Sequence, residues 1–399
     1  MAAKITDATV ACATAKQICT LTFATIIMAG IYIHIPFCRK ACHYCNFHFS
    51  TSQQLLPQMV DAIVQEAILR KDEISETIDT IYFGGGTPSL CKMEEVRCMI
   101  EALRKLYNIH PAAEITLEAN PDDITEEKLI GWKANGINRL SIGIQSFFAD
   151  ELQWMNRAHN ADEAVKSLAL ATTYFKNISI DLIYGTSLLT DEQWLHNLNT
   201  AASYNITHLS CYALTVEEGT ALHQFIKQEK IKNTDADKQA HHFEMLMQWA
   251  VENGYEHYEI SNLAKPNYRS QHNSSYWKGK PYLGLGPSAH SFNGKERQWN
   301  IANNALYIKS IEQQIVPLEK EILTPVQQLN EYIMTGLRRI EGIDLLLIEN
   351  KWGADFKNKV IHSAKKWISS LHLLQTENIL QLTDAGKFLA DGIAADLFC

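Results

Sequence analysis

From Ile31 onward the chain sets a short β-rich run ahead of a longer amphipathic stretch six times in succession. "IYIHI" precedes a helical pattern over 52–70, "TIYFGGG" one over 93–107, and "EITLEAN" one over 124–134. "INRLSIGIQS" leads to a helix over 149–155, "ISIDLIYG" to one over 191–202, and "ITHLSCYAL" to one over 235–253. Strands separated by helices pair in parallel, because each helix carries the chain back across the sheet before the next strand starts. The series predicts an α/β fold of six parallel strands under covering helices. Periodicity alone leaves open whether they form a doubly wound sheet or a barrel.

After Gly254 the rhythm breaks. "YEHYEISNLAKP" and "HNSSYWKGKPYLGLGPSAHSF" are rich in aromatics, histidine, glycine and proline, a composition of ordered loops and short strands. From Pro325 the chain reads as helical again, in "VQQLNEYIMTGLRRI" and "KVIHSAKKWISSL", and predicts a small, mainly helical C-terminal domain of winged-helix character. The expected organisation is an N-terminal extension over 1–28, an α/β domain over 29–255, a connecting segment over 256–324 and the C-terminal domain over 325–399. Within the extension, the apolar run from Ile18 to Met28 imitates a secretory leader but is too short to span a bilayer. A functional start at Met28, "MAGIYIHIPF", leaves Cys12 and Cys19 outside the working chain.

Composition excludes some function classes. A net charge of -9 with no lysine or arginine run argues against a broad nucleic-acid-binding face, which needs clustered positive charge. Nine cysteines without a paired framework read as reduced thiols in a cytoplasmic chain.

Three of those cysteines carry chemistry. In "YIHIPFCRKACHYCNFHF", Cys38, Cys42 and Cys45 stand four and then three residues apart. That spacing also marks one helix face, but Arg39, Lys40, His43 and His48 fill the gaps and leave no continuous apolar stripe. Thiolates suit zinc and iron-sulfur clusters. Zinc needs a fourth ligand, which His43 or His48 could supply. A 4Fe-4S cluster on three thiolates keeps one iron free for another molecule.

The CxxxCxxC loop after the first strand of a βα series resembles the radical S-adenosylmethionine (SAM) superfamily. In that family the free iron chelates SAM, and one electron from the cluster cleaves the sulfonium to a 5′-deoxyadenosyl radical. The resemblance implies a partial (β/α)6 radical SAM barrel with its pocket at the C-terminal ends of the strands. "GGGTP" follows the second strand, Glu118 ends the third, Gln145 the fourth, Asp181 lies in the fifth, and Arg157 follows in "MNRAH".

The resemblance narrows further. "YIHIPFC", "YFGGGTP", "IGIQSF", "NRAH", "DLIYG" and "YLGLGPSAHS" are similar, in order, to the anaerobic coproporphyrinogen III oxidase and HemW-type heme chaperone families. It implies that Tyr32, Tyr44, Gly85, Gly86, Thr87, Glu118, Gln145, Arg157, Asp181 and Ala213 contact SAM. The oxidases carry CxxxCxxCxC, whereas Phe47 stands at the last position here, as in the chaperones. "HNSSYW" resembles the chaperones' HNxxYW signature, which implies His272, Tyr276 and Trp277 as heme-binding residues, with His290 and His257 as weaker candidates. It further implies heme as cargo, recipient hemoproteins at the membrane, an electron donor, a dimer, and work in the cytoplasm at the inner face of the membrane. Oxygen-independent oxidation of coproporphyrinogen III is the rival activity. One departure stands out: after "DLIYG" the families' Leu-Pro-Gly is replaced by Thr186, Ser187 and Leu188.

Overall fold

The computed structural model describes residues 28–399. The expected extension, Cys12 and Cys19 lie outside them, apart from Met28. Six parallel strands are present in the predicted order: β1 (Met28–Ile35), β2 (Thr77–Gly85), β3 (Ile109–Ala119), β4 (Arg139–Gln145), β5 (Ile178–Tyr184) and β6 (His208–Ala213).

Each strand alternates, and the alternation sorts chemistry by face. Ile31, Ile33 and Ile35 of β1, Ile81 and Phe83 of β2, Leu117 of β3, Leu140 and Ile142 of β4, Ile180 and Leu182 of β5 and Leu209 of β6 join one apolar core with the covering helices. Successive side chains of a strand point to opposite faces, so Tyr32, Tyr82, Glu118, Ser141, Asp181 and Tyr212 share the other face. The sheet curls around that polar face. Register keeps the polar positions level, with Tyr32 opposite Tyr82, Glu118 opposite Ser141 and Asp181 opposite Ser210.

The segment after Gly254 widens the sheet at both edges. β8 (Asn262–Ala264) adds antiparallel to β6, and β7 (Glu256–Glu259) adds antiparallel to β8 at the edge. β9 (Tyr282–Leu285) runs parallel to β1 and is followed outward by β10 (His290–Phe292), β11 (Glu296–Asn300) and β12 (Leu318–Ile322). The result is a twelve-stranded sheet in the order β12-β11-β10-β9-β1-β2-β3-β4-β5-β6-β8-β7. The C-terminal region packs a separate core, including Leu329, Ile333, Ile348, Val360 and Ile393, around a small sheet of β13 (Ile343–Asp344), β14 (Leu373–Thr376) and β15 (Ile379–Leu382).

Two local expectations need correction. A helix over Ala161–Tyr174 joins β4 to β5 and was not anticipated. Its buried face is Ala164, Ser167, Leu168 and Ala171, small residues that give a weak hydrophobic period, although Asn160 and Glu163 form a capping box at its start. "HNSSYW", read as loop, is the helix Gln271–Trp277, with the Ser270 hydroxyl accepting from the Asn273 amide. Among the described residues, no helix is long and apolar enough to cross a membrane.

Candidate functional site

At the C-terminal ends of the strands lies a cavity of about 480 Å³. The three cysteines and all ten residues expected around SAM line it. The loop that carries the cysteines is tied down at several points. Its start is held by Cys38 N donating to the Ser50 carbonyl (3.0 Å) and Ser50 N to that of Pro36 (2.9 Å). Its middle is held by His43 N to Met155 O (3.1 Å), Leu222 N to His43 O (2.8 Å) and Asn156 Nδ2 to Ala41 O (2.7 Å). Arg39 anchors the outer side on Asp123, which also accepts from the Ser89 hydroxyl at 2.8 Å.

The donor set fits a thiolate-held cluster. Arg157 Nη1 lies 3.3 Å from Cys42 Sγ, and the Thr87 hydroxyl 3.6 Å from Cys38 Sγ, so both sulfurs have donors suited to negative charge. Burial pushes the free Cys38 thiol up to about 11, with Thr87 opposing the shift, and a ligand that stabilises the thiolate offsets that cost. Each histidine of the loop has one ring nitrogen engaged, His43 Nδ1 with the Trp154 carbonyl at 2.7 Å and His48 Nε2 with Asn304 Oδ1 at 2.7 Å. Among the described residues, no three His, Cys, Asp or Glu side chains converge closely enough for a single ion.

The rest of the cavity presents both signs of charge, as a zwitterionic sulfonium requires. Glu118 accepts from Tyr82 Oη at 2.8 Å and from the Gly85 amide at 3.2 Å. Burial, with Asp181 nearby, raises the Glu118 carboxyl to about 8; burial raises that of Asp181 to about 6. Gln145 is held at φ 67° by an irregularity at the end of β4, a left-handed backbone that turns the chain at the cavity wall. Gly86 is required by close approach, since a Cβ there would stand 2.6 Å from the Phe37 carbonyl oxygen.

Sequence reading missed Asn120. It accepts from Arg157 Nη2 at 2.8 Å and donates to Thr87 Oγ1 at 3.2 Å, linking two expected site residues. Its place directly after the third strand, next to Pro121, was the available signal.

The heme candidates sit elsewhere. His272 is 1% exposed beneath the polar face of β1 and β2. Its Nδ1 is bonded to Thr80 Oγ1 and its Nε2 to Tyr276 Oη, both at 2.8 Å, and its ring stacks on Tyr82 at 4.9 Å between centroids. The amides of Gln271 and His272 donate to buried Glu114. The motif packs against β1 and β2 with both imidazole nitrogens hydrogen-bonded. Trp277 lies under the Arg338 guanidinium, 5.5 Å from the ring centroid. The departure at 186–188 is compensated locally: the Thr186 hydroxyl reaches both oxygens of buried Glu151, at 2.7 and 2.8 Å.

The profile of the radical SAM superfamily matches residues 32–201. The chain is 32% identical over 375 residues to heme chaperone HemW of Bacillus subtilis, covering 92% of this chain and 98% of that one. It is 30% identical over 378 residues to heme chaperone HemW of Lactococcus lactis, covering 91% and 97%. Among solved structures, coproporphyrinogen III oxidase (HemN) from Escherichia coli superposes with a TM-score of 0.81 at 23% identity, over 93% of this chain and 90% of that one, which shows a shared fold. With its cysteine loop, its polar-faced partial barrel and relatives matched nearly end to end, the chain belongs to the radical SAM superfamily and, within it, to the HemW family.

Proposed function

We propose that the protein is a radical SAM heme chaperone, which binds heme and delivers it to membrane-bound hemoproteins such as respiratory enzymes. The convergence of Cys38, Cys42, Cys45 and ten further expected residues on one cavity carries the cofactor half of this reading. The names of relatives aligned over nine-tenths of the chain carry the cargo half. Cys38, Cys42 and Cys45 would hold the 4Fe-4S cluster, which with SAM supplies one-electron chemistry at the sulfonium carbon-sulfur bond.

The protein's own groups do the rest. Arg157, fixed by Asn120 and the Gly143 carbonyl at 2.8 Å each, pairs with a thiolate and offers charge to a carboxylate. Glu118 and Asp181 answer a cationic ligand once ionised, and Gly85 and Gly86 let backbone approach it. On this reading the protein works in the cytoplasm, as a dimer at the inner face of the membrane, with an external electron donor.

Anaerobic reconstitution tests the cofactor assignment. We expect about four irons per chain, lost in Cys38→Ser, Cys42→Ser or Cys45→Ser. Stoichiometric zinc without iron-sulfur absorbance would overturn it.

A further inference from the structure

Tyr32 lines the cofactor cavity, and its hydroxyl has one hydrogen-bond partner among the described residues, His34 Nδ1 at 3.1 Å. His34 stands two positions further along β1, on the same face of the strand, but it is 5% exposed and does not line the cavity. Three contacts fix it. Its Nε2 lies 3.0 Å from the carbonyl of His48, three residues past Cys45 on the cysteine loop. Its ring packs against Gly85, where a Cβ would stand 2.6 Å from Nδ1 and where the backbone sits at φ 107°. Its own carbonyl faces Gly286, where a Cβ would stand 2.5 Å from the oxygen.

These contacts dictate where the hydrogens are. A carbonyl only accepts, so His34 Nε2 carries its hydrogen toward His48. Burial pushes the imidazole down to about 4, against the opposing bond to His48, so at neutral pH the ring is uncharged and Nδ1 holds a lone pair. Tyr32 must therefore donate to it. A phenol has a single hydrogen, and once that is given to His34 the oxygen has only lone pairs left to offer.

We propose that His34 is a positioning residue that fixes the hydrogen-bond polarity of Tyr32, making its oxygen an acceptor for an N–H donor of the bound cofactor. The assignment rests on the SAM reading of the cavity and deepens it. SAM carries two such donors, the α-ammonium of its methionine end and the 6-amine of its adenine. A hydroxyl free to rotate serves donors and acceptors alike; one locked on Nδ1 favours a donor and turns lone pairs against a carboxylate. The same imidazole ties this preference to the cysteine loop, since its other nitrogen donates to the His48 carbonyl.

The test measures dissociation constants by equilibrium dialysis on the anaerobically reconstituted full chain, for SAM, for an analogue lacking the α-amino group and for one lacking the adenine 6-amine. His34→Phe keeps a ring against Gly85 but strands the Tyr32 hydrogen whenever the oxygen accepts, and should weaken SAM about tenfold. Tyr32→Phe should cost about the same, and the double variant no more than either, because His34 acts through the Tyr32 oxygen. His34→Asn, whose amide oxygen replaces Nδ1 as acceptor, should recover most of the loss. One of the two analogues should be insensitive to His34→Phe, which identifies the donor group. Nitrogen-15 spectra of the wild type, with the His34 signals assigned by their loss in His34→Phe, should show the Nε2–H tautomer, a readout that packing alone does not set. Losses that add in the double variant, or equal weakening of SAM and both analogues by His34→Phe, overturn the assignment while the cofactor reading stands. Failure of the wild type to bind SAM overturns the cofactor reading itself.

Discussion

Arg157 Nη1 stands 3.3 Å from Cys42 Sγ while Nη2 of the same guanidinium is fixed on Asn120 and the Gly143 carbonyl. The fork therefore joins the cysteine loop to the ends of β3 and β4, and its charge is already aimed at a sulfur before any cofactor binds. A lysine would keep the charge and lose the fork. Arg157→Lys is expected to weaken SAM binding roughly ten- to a hundredfold, the range for losing a charge-assisted hydrogen bond. Equilibrium dialysis against the reconstituted protein, with iron content as a control, measures it.

Glu118 gives the apoprotein a pH dependence of definite sign. Its carboxyl is raised by burial to about 8, so between its ordinary value of 4.5 and about 8 the folded chain holds a proton that the unfolded chain has released. Stability should therefore fall as pH climbs through that window, by up to about 1.4 kcal/mol per pH unit. Glu118→Gln should flatten the trend. Urea midpoints at successive pH values, taken anaerobically on both proteins, decide it, and a slope unchanged by the substitution would contradict the assignment.

The departure from Leu-Pro-Gly at 186–188 is a matched pair rather than a lesion. Thr186 supplies two hydrogen bonds to Glu151, and both residues are 0% exposed. Restoring leucine strands a buried carboxyl, so Thr186→Leu should cost roughly 1–3 kcal/mol. Glu151→Leu placed in the same chain should recover part of that loss. A double-mutant cycle by urea denaturation measures the coupling, and strict additivity would refute it.

Gly86 has no room to become alanine. The added Cβ meets backbone, the Phe37 carbonyl oxygen at 2.6 Å, which cannot swing aside as a side chain can. Gly86→Ala should displace the chain at Phe37 and lower cluster retention at Cys38. Iron content after anaerobic gel filtration checks this; wild-type retention would show that the loop tolerates the shift.

The order of six strands was legible because each carries a β-rich run followed by a helical period. Glu118, Gln145 and Asp181 were legible as polar residues in otherwise apolar runs, all facing one way. Three features were not. The helix over Ala161–Tyr174 buries alanine and serine, which leave little periodic signal. The strands β7 to β12 are three to five residues long and join both edges of a sheet whose core lies far back in the sequence, a pairing that no local pattern encodes. The burial of the helix that carries His272 depends on Thr80 and Glu114, 192 and 158 positions from it in the chain.

On the heme-chaperone reading, this chain carries heme and leaves a porphyrinogen unoxidised. The most direct measurement offers heme and coproporphyrinogen III together to the anaerobically reconstituted protein with SAM and a reductant. Stable, stoichiometric heme uptake with coproporphyrinogen III recovered unchanged is the expected result. Formation of protoporphyrinogen would contradict it.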